Sequence, residues 1–371
     1  MAKTEILMLN EEELIQCGVI DFAHCVDVLE EMFKLLGEGD YVMGGAKHNS
    51  HGIAVRFPKE SKFPNMPLDG PDRRFMAMPA YLGGRFNVAG CKWYGSNIAN
   101  PARGLPRSVL MVTLNNADTG EPISIMSGNL ISAARTGSVP GVGVRHLANA
   151  NAKVCTCIGA GPISRSCFQG IYAVAKNLKK LVVYDLFKEK SEEFCRWASE
   201  TFGIEAEAAD TLEEAVKQGD IVSSATSSLK PVELKNEWLK PGSVLIMTGR
   251  CYVDEPYFKS AKIVFDNALE HDENYCEQLM LPEDQRWITC IGSQVYRMAY
   301  EGKLPAIIDQ PALGDVINGR KVRESEDDRV CFITYGMPTE DVAWGYEMYE
   351  TAKKKGLGTV FPLWPNEPLY K

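Results

Sequence analysis

The chain has 371 residues, 45% of them hydrophobic and 24% charged, with a formal net charge of −9. That length exceeds what one hydrophobic core usually serves and implies two domains. The acidic balance argues against a nucleic-acid surface, which needs clustered Lys and Arg, and no stretch approaches the roughly 20 apolar residues of a membrane span.

The start, MAKTEILMLNEEEL, carries acids early and no apolar core before a cleavage site, so a cytoplasmic protein is expected. Eleven cysteines are scattered as single residues, which reads as reduced thiols rather than a disulfide framework. Cys155 and Cys157, two apart in KVCTCIG, read as small hydrophobes on one strand face. His48 and His51 sit in a loop-like KHNSH, and no metal site is assigned to them.

In chain order, Asn10 with Glu13 forms a capping-box pattern, and an apolar-periodic run from Phe22 to Leu36 halts at Gly37, so two helices are expected to open the chain. From Gly39 to Pro106, and on through VLMVTLNN, short alternating runs between Gly, Pro and Asn predict antiparallel strands, giving an α+β first unit. After Asn151 the texture changes. Val154–Ile158, Leu181–Tyr184, Ile221–Ala225, Val244–Met247 and Ile263–Phe265 are continuous apolar runs separated by helical stretches, as in a parallel sheet covered on both faces. Thr211 with Glu214 caps one of those helices, and Gly203 ends the one before it. A strand, RVCFITYGM, and a helix ending at Gly356 finish the chain, the helix expected to pack back on the first unit.

The strand VCTCI runs directly into Gly159-Ala160-Gly161-Pro162-Ile163-Ser164 and then a helix. There the first glycine permits the tight turn, the second lets backbone approach a pyrophosphate, and the helix N-terminus presents N–H groups to the anion. A lone motif of this kind competes with a plain strand-to-helix turn; the context and Asp185, closing the next strand, favour a dinucleotide site. A carboxylate there accepts ribose hydroxyls and repels a 2′-phosphate, so NAD is expected over NADP, with nearby Lys188 leaving NADP possible. Lys92 stands in an otherwise apolar strand, where its ammonium either snorkels to water or enters a polar cleft as a general acid or base. Arg135, in a helix of small residues, suits a bidentate grip on a carboxylate or phosphate. For both, a structural ion pair is the competing reading.

The segments MPAYLGGRFNVAGCKWYGSNIANPARGLP, LNNADTGEPISIMSGNLISAARTGSVP, CIGAGPIS, SSATSSLKPV, WLKPGSVLIMTG and FITYGMPTEDVAWGYEMYETAKKKGLG, in this order, resemble the ornithine cyclodeaminase and μ-crystallin family over nearly the whole chain. The resemblance implies an α/β protein: a Rossmann dinucleotide-binding domain, expected over 131–317, plus a second, α+β substrate-binding and dimerisation domain from 1–130 and 318–371. It implies that Lys92 meets the substrate and that Arg135 contacts the substrate carboxylate and cofactor phosphate. Arg107, Thr136, Gly159, Gly161, Pro162, Ile163, Asp185, Thr226 and Thr334 then match cofactor-lining positions, and Lys47 matches an arginine of the early substrate loop.

One departure stands out: where cyclodeaminases carry a catalytic aspartate, Arg250 follows Gly249 and the next acid is Asp254. A cation cannot be the base, but it can bind a second acid group of a substrate. The resemblance thus implies an NAD(P)-dependent oxidoreductase acting on the C–N bond of a small amino, imino or keto acid, as a homodimer. Ornithine cyclodeaminase, with Asp254 swung into the aspartate's place, is the enzymatic alternative; a non-catalytic, crystallin-like binder of NAD(P)H is the alternative from another class.

Overall fold

The computed structural model describes residues 4–226, 230–288 and 290–364. The chain forms two compact units, one built from Met1–Asp21, Gly39–Arg135 and Met337–Lys371, the other from Phe22–Glu38 and Thr136–Gly336.

The first unit is an eight-stranded, mostly antiparallel sheet, with Thr359–Pro362 at one edge followed by Glu5–Leu9, Pro122–Ser127, Ser108–Asn116, Val88–Ser96, Arg74–Leu82 and Tyr41–Met43; Ile53–Arg56 also pairs with Arg74–Leu82. Period-two alternation assigns the faces. Met76, Met78, Lys92, Tyr94 and Val112 point one way and are buried, whereas Phe75, Trp93, Val109 and Met111 point the other way and are exposed. The helix Pro338–Lys355 crosses the buried face over Arg74–Leu82, Val88–Ser96 and Ser108–Asn116. Pro338 opens it at the first turn, where a missing N–H costs nothing, and Gly356, in the left-handed conformation, closes it after three lysines. Trp344, fully buried, fixes the helix by donating from Nε1 to Val19 O at 3.1 Å. Gly90 permits the close approach: a Cβ there would lie 2.7 Å from Thr113 O and 2.9 Å from Val342 Cγ2.

The second unit is a seven-stranded sheet, every pairing parallel, in the order Glu205–Ala208, Lys180–Tyr184, Val154–Ile158, Ile221–Ser224, Val244–Met247, Val330–Ile333, Lys262–Phe265. Chain order runs outward from Val154–Ile158 to Glu205–Ala208 on one side and to Val244–Met247 on the other, so a topological switch point lies beside it, where ligands of open α/β sheets bind at the carboxyl ends of the strands. A short parallel pair, Val232–Leu234 with Cys251–Val253, flanks the sheet. The molecule is therefore an α/β protein with a Rossmann unit and a second α+β unit.

Three expectations differ from the structure. The chain opens with a strand, Glu5–Leu9, ahead of the two helices. The second helix, Phe22–Glu38, runs through Gly37, whose Cβ would meet Gly314 C at 2.6 Å; glycine here serves close helix packing instead of termination. The boundaries expected at 130/131 and 317/318 also shift. Phe22–Glu38 packs on Leu313–Ile317 and on Pro162–Val174 and so joins the Rossmann unit, and 318–336 stays with that unit because Val330–Ile333 lies within its sheet.

Candidate active site and dinucleotide site

In the Rossmann unit the strand Val154–Ile158 ends at Gly159, whose φ of 97° lies in the left-handed region and whose Cβ would sit 2.8 Å from Ala225 O. Gly161 precedes the helix Pro162–Val174, with Pro162 in its first turn, and a Cβ on Gly161 would meet nothing within 4 Å. The helix N-terminus thus faces open space with no side-chain cap, which fits an anion held by backbone N–H groups. Ile163 is partly exposed beside it. Asp185 follows the neighbouring strand and accepts hydrogen bonds from Ala160 N at 2.8 Å and Phe187 N at 3.0 Å, so its carboxylate is fixed against the glycine loop. Lys188 is drawn away from it into an ion pair with Asp210. Thr226 lies against Gly159, and Thr334, buried at the end of Val330–Ile333, donates from its backbone to Met247 O at 3.1 Å. These groups all stand at the carboxyl edge of the sheet, and they fit a dinucleotide by backbone geometry, open space at the helix end and a placed carboxylate. Thr136 is half-buried on the helix Asn129–Leu147, next to Gly137, which touches the backbone of Ser166 in the glycine-loop helix.

In the other unit, Lys92 and Arg135 come together. Lys92, only 3% exposed, donates from Nζ to Asp341 Oδ2 at 2.8 Å. Arg135 donates from Nε to Asp341 Oδ1 at 3.2 Å and from Nη1 to Glu340, with both carboxylates fully buried. The structural ion pair thus exists, and it joins both candidate residues into one network of two cations and two anions. Arg135 Nη2 has no acceptor among the described residues. Burial, and then the charge of Arg135, pull the Lys92 ammonium down to about 8, against the opposing pull of Asp341. Burial also disfavours charge on Arg135, but Asp341 and Glu340 more than offset it and hold the guanidinium ionised. The result is one permanent cation beside one amine that exchanges its proton near neutral pH.

Glu340 and Asp341 escaped sequence reading. Their signal is faint: two consecutive acids in the first turn of a helix, where acids commonly serve the helix dipole in solvent. Their burial depends on a strand and a helix whose partner residues lie 249 and 205 positions away in sequence.

The remaining candidates have other partners. Arg107 donates from Nε to Asp72 at 2.6 Å and is partly exposed. Lys47 is exposed in the turn after Tyr41–Met43. Arg250, in the Rossmann unit, donates to Ile288 O at 2.6 Å. Asp254 is exposed at the start of the helix Glu255–Ser260 and accepts from Asn236 N at 3.2 Å, a contact that ties two loops together.

Comparison with known proteins adds to this geometry. The chain is 27% identical over 367 residues to N-((2S)-2-amino-2-carboxyethyl)-L-glutamate dehydrogenase of Staphylococcus aureus, an alignment covering 97% of this chain and 99% of that one. It is likewise 27% identical to alanine dehydrogenase of Archaeoglobus fulgidus, over 96% and 98% of the two chains. Among solved structures, an archaeal alanine dehydrogenase dimer with bound NAD superposes with a TM-score of 0.77 at 25% identity, covering 97% of this chain and 100% of that one. A Thermococcus litoralis Δ1-pyrroline-2-carboxylate reductase, solved with NADH and L-proline, shares the fold with a TM-score of 0.77 at 24% identity, over 95% and 99% of the chains. The model of the ornithine cyclodeaminase/mu-crystallin family matches residues 19–356, and the chain belongs to that family.

Proposed function

We propose that the protein is an NAD(P)-dependent oxidoreductase that interconverts an imine and an amine on a small amino acid skeleton. The observation that carries this reading is the buried Lys92, hydrogen-bonded to Asp341 beside Arg135 and poised near pH 8. The relatives named for amino-acid dehydrogenation, and the neighbour named for pyrroline-carboxylate reduction, support it. NAD is the preferred cofactor, because Asp185 places a negative charge where a 2′-phosphate would lie.

Gly159, Gly161, Pro162 and Ile163 hold the pyrophosphate side of the dinucleotide, and Thr136, Thr226 and Thr334 line its path; when bound, the cofactor supplies or accepts a hydride. Arg135 grips the substrate carboxylate through its remaining donor, Nη2, while its other two contacts keep the guanidinium plane fixed. Lys92 donates a proton to the substrate nitrogen in the reductive direction and takes it back in the oxidative one. The four-residue network is neutral, so a substrate carboxylate adds one net negative charge and raises the proton affinity of Lys92 when a proton donor is needed.

Cyclodeamination of ornithine is the weaker reading: Arg250 is a cation bound to Ile288 O, and Asp254 is engaged with Asn236 N. A pure binder, for its part, has no use for an amine tuned to exchange protons. The exposed sheet face bearing Phe75, Trp93, Val109 and Met111 is the surface on which two copies pair into a homodimer, and the cytoplasm is its compartment. Among the described residues no helix is long and apolar enough to cross a membrane.

The test is NADH oxidation by the purified protein against keto acids with ammonia or amines and against cyclic imines, with ornithine and NAD as a separate assay. NADH consumption with an imine-forming pair supports the reading; ammonia release from ornithine without net NADH change would replace it with cyclodeamination.

A further inference from the structure

The buried sheet face that carries Lys92 continues beyond it in a way the proposed reaction does not use. Strand register places Met78, Lys92 and Val112 in one row, Met76, Tyr94 and Leu110 in the next that faces the same way, and Arg56, Arg74, Ser96 and Ser108 in the one after. The third row is the anomaly. Arg56 and Arg74 stand directly opposite each other on adjacent antiparallel strands, a like-charge pairing that costs stability unless something negative lies over it. Arg74 is half-buried; it donates from Nη2 to Tyr94 Oη at 3.3 Å and pairs through Nη1 with Asp72, while its Nε is buried with no hydrogen-bond partner among the described residues. Asp72 is shared, since Arg107 also pairs with it, so a single carboxylate serves two guanidiniums here. That acid is itself held in place: Asp72 has a left-handed φ of 53°, and Ser96 Oγ donates to its carbonyl at 2.7 Å.

Tyr94 connects this row to the catalytic one. Lys92 Nζ and Arg74 Cζ each lie 5.7 Å from the centroid of the Tyr94 ring. The two cations are thus separated by one aromatic side chain, a span that a short acidic side chain bridges. From this arrangement, and resting on the imine–amine reading above, we infer that Arg74, assisted by Arg56, binds a second carboxylate on the substrate, so that the substrate is a dicarboxylic imine or amine with its reacting nitrogen at Lys92. The role expected of Arg250, holding a second acid group, falls instead to the antiparallel sheet.

The test reads binding and turnover separately. Calorimetric titration of the full-length protein with NAD present, using glutarate and pentanoate as probes of equal chain length, should show glutarate binding about tenfold to hundredfold tighter, the range expected for a charge-assisted arginine contact. Arg74→Gln should bring the two affinities close together, Arg74→Lys should restore part of the preference, and Arg56→Gln, at an exposed position, should narrow it by about threefold. In turnover with ammonia, the same variants should raise KM for 2-oxoglutarate far more than KM for 2-oxopentanoate. Equal losses for the acidic and neutral ligands, a wild-type protein without preference, or a loss of NADH affinity as large as the loss for glutarate would each overturn the inference, the last by assigning the row to a cofactor phosphate. Glutarate preference lost on Arg74→Gln in a protein that oxidises NADH with neither keto acid would uphold the site while sinking the reductase reading.

Discussion

The two units build their functional groups in opposite ways. The Rossmann unit uses backbone: a left-handed glycine, a helix end facing open space and an acid fixed by two amide hydrogens, all within a span of 29 residues from Gly159 to Phe187. The antiparallel unit uses side chains brought from three distant segments, Lys92, Arg135 and Glu340–Asp341, into a buried charge network. A backbone site tolerates most side-chain changes but is sensitive to a single Cβ. A charge network responds the other way, because each member is there to compensate another in a medium that solvates neither.

Asp341→Asn should therefore produce the largest effect of all. It leaves two buried cations with one carboxylate, which costs about 3–5 kcal/mol in denaturant unfolding, and it removes the group that raises the Lys92 proton affinity, so turnover should fall by more than about a thousandfold. An unfolding midpoint equal to that of the wild type would show that the network is not compensating charge. Lys92→Met comes next and should separate the two properties: turnover drops by about a hundredfold to ten-thousandfold, while NADH affinity measured by fluorescence titration persists and Asp341 keeps Arg135 as partner.

The pH dependence follows from the same residue. Its folded value, about 8, lies below that of an unfolded lysine, so imine reduction should be level below pH 8 and decline above it, amine oxidation should rise through pH 8, and Lys92→Met should lack both limbs. Stability carries the matching sign: between pH 8 and the unfolded lysine value the unfolded chain binds more protons, so the folded state gains stability as pH rises through that window. A wild-type reductive profile with no decline above pH 8 would remove Lys92 as the donor.

Smaller effects belong to the backbone site. Gly159→Ala must accommodate a φ of 97° and a Cβ 2.8 Å from Ala225 O, a strain of about 1–3 kcal/mol that should weaken NADH binding by about tenfold or more with little change in KM for the keto acid. Asp185→Asn is the mildest, shifting the NAD-to-NADP preference by about tenfold in competition assays. If instead Asp185→Asn reduced turnover as much as Lys92→Met, the division of labour between the units would be wrong.

This contrast also explains what the sequence revealed. Strands buried on both faces, such as Val154–Ile158 and Val244–Met247, announce themselves as unbroken apolar runs, and the glycine loop is local enough to be read directly. Glu205–Ala208, with sequence EAEA at the sheet edge, has no apolar run or β-branched residue and was invisible. Gly37 misleads because glycine signals helix termination and close packing with the same letter. Lys92 was conspicuous as a lone charge in an apolar strand, but its partners were not, since no local rule separates a buried pair of acids from an exposed one at a helix start. Arg74 was hidden for a related reason: only strand register places it on the face of Lys92 and opposite Arg56.

The path of the chain has a consequence for heredity. It passes from one unit to the other at four places, after Asp21, Glu38, Arg135 and Gly336, and Arg135 and Thr136 are successive residues of a single helix. No single crossover, terminal truncation or gene fusion can therefore donate, delete or exchange the cofactor module intact. New specificities in such a chain must arise by replacing individual side chains on an inherited whole, and the row holding Arg56 and Arg74 is a place where one codon would suffice.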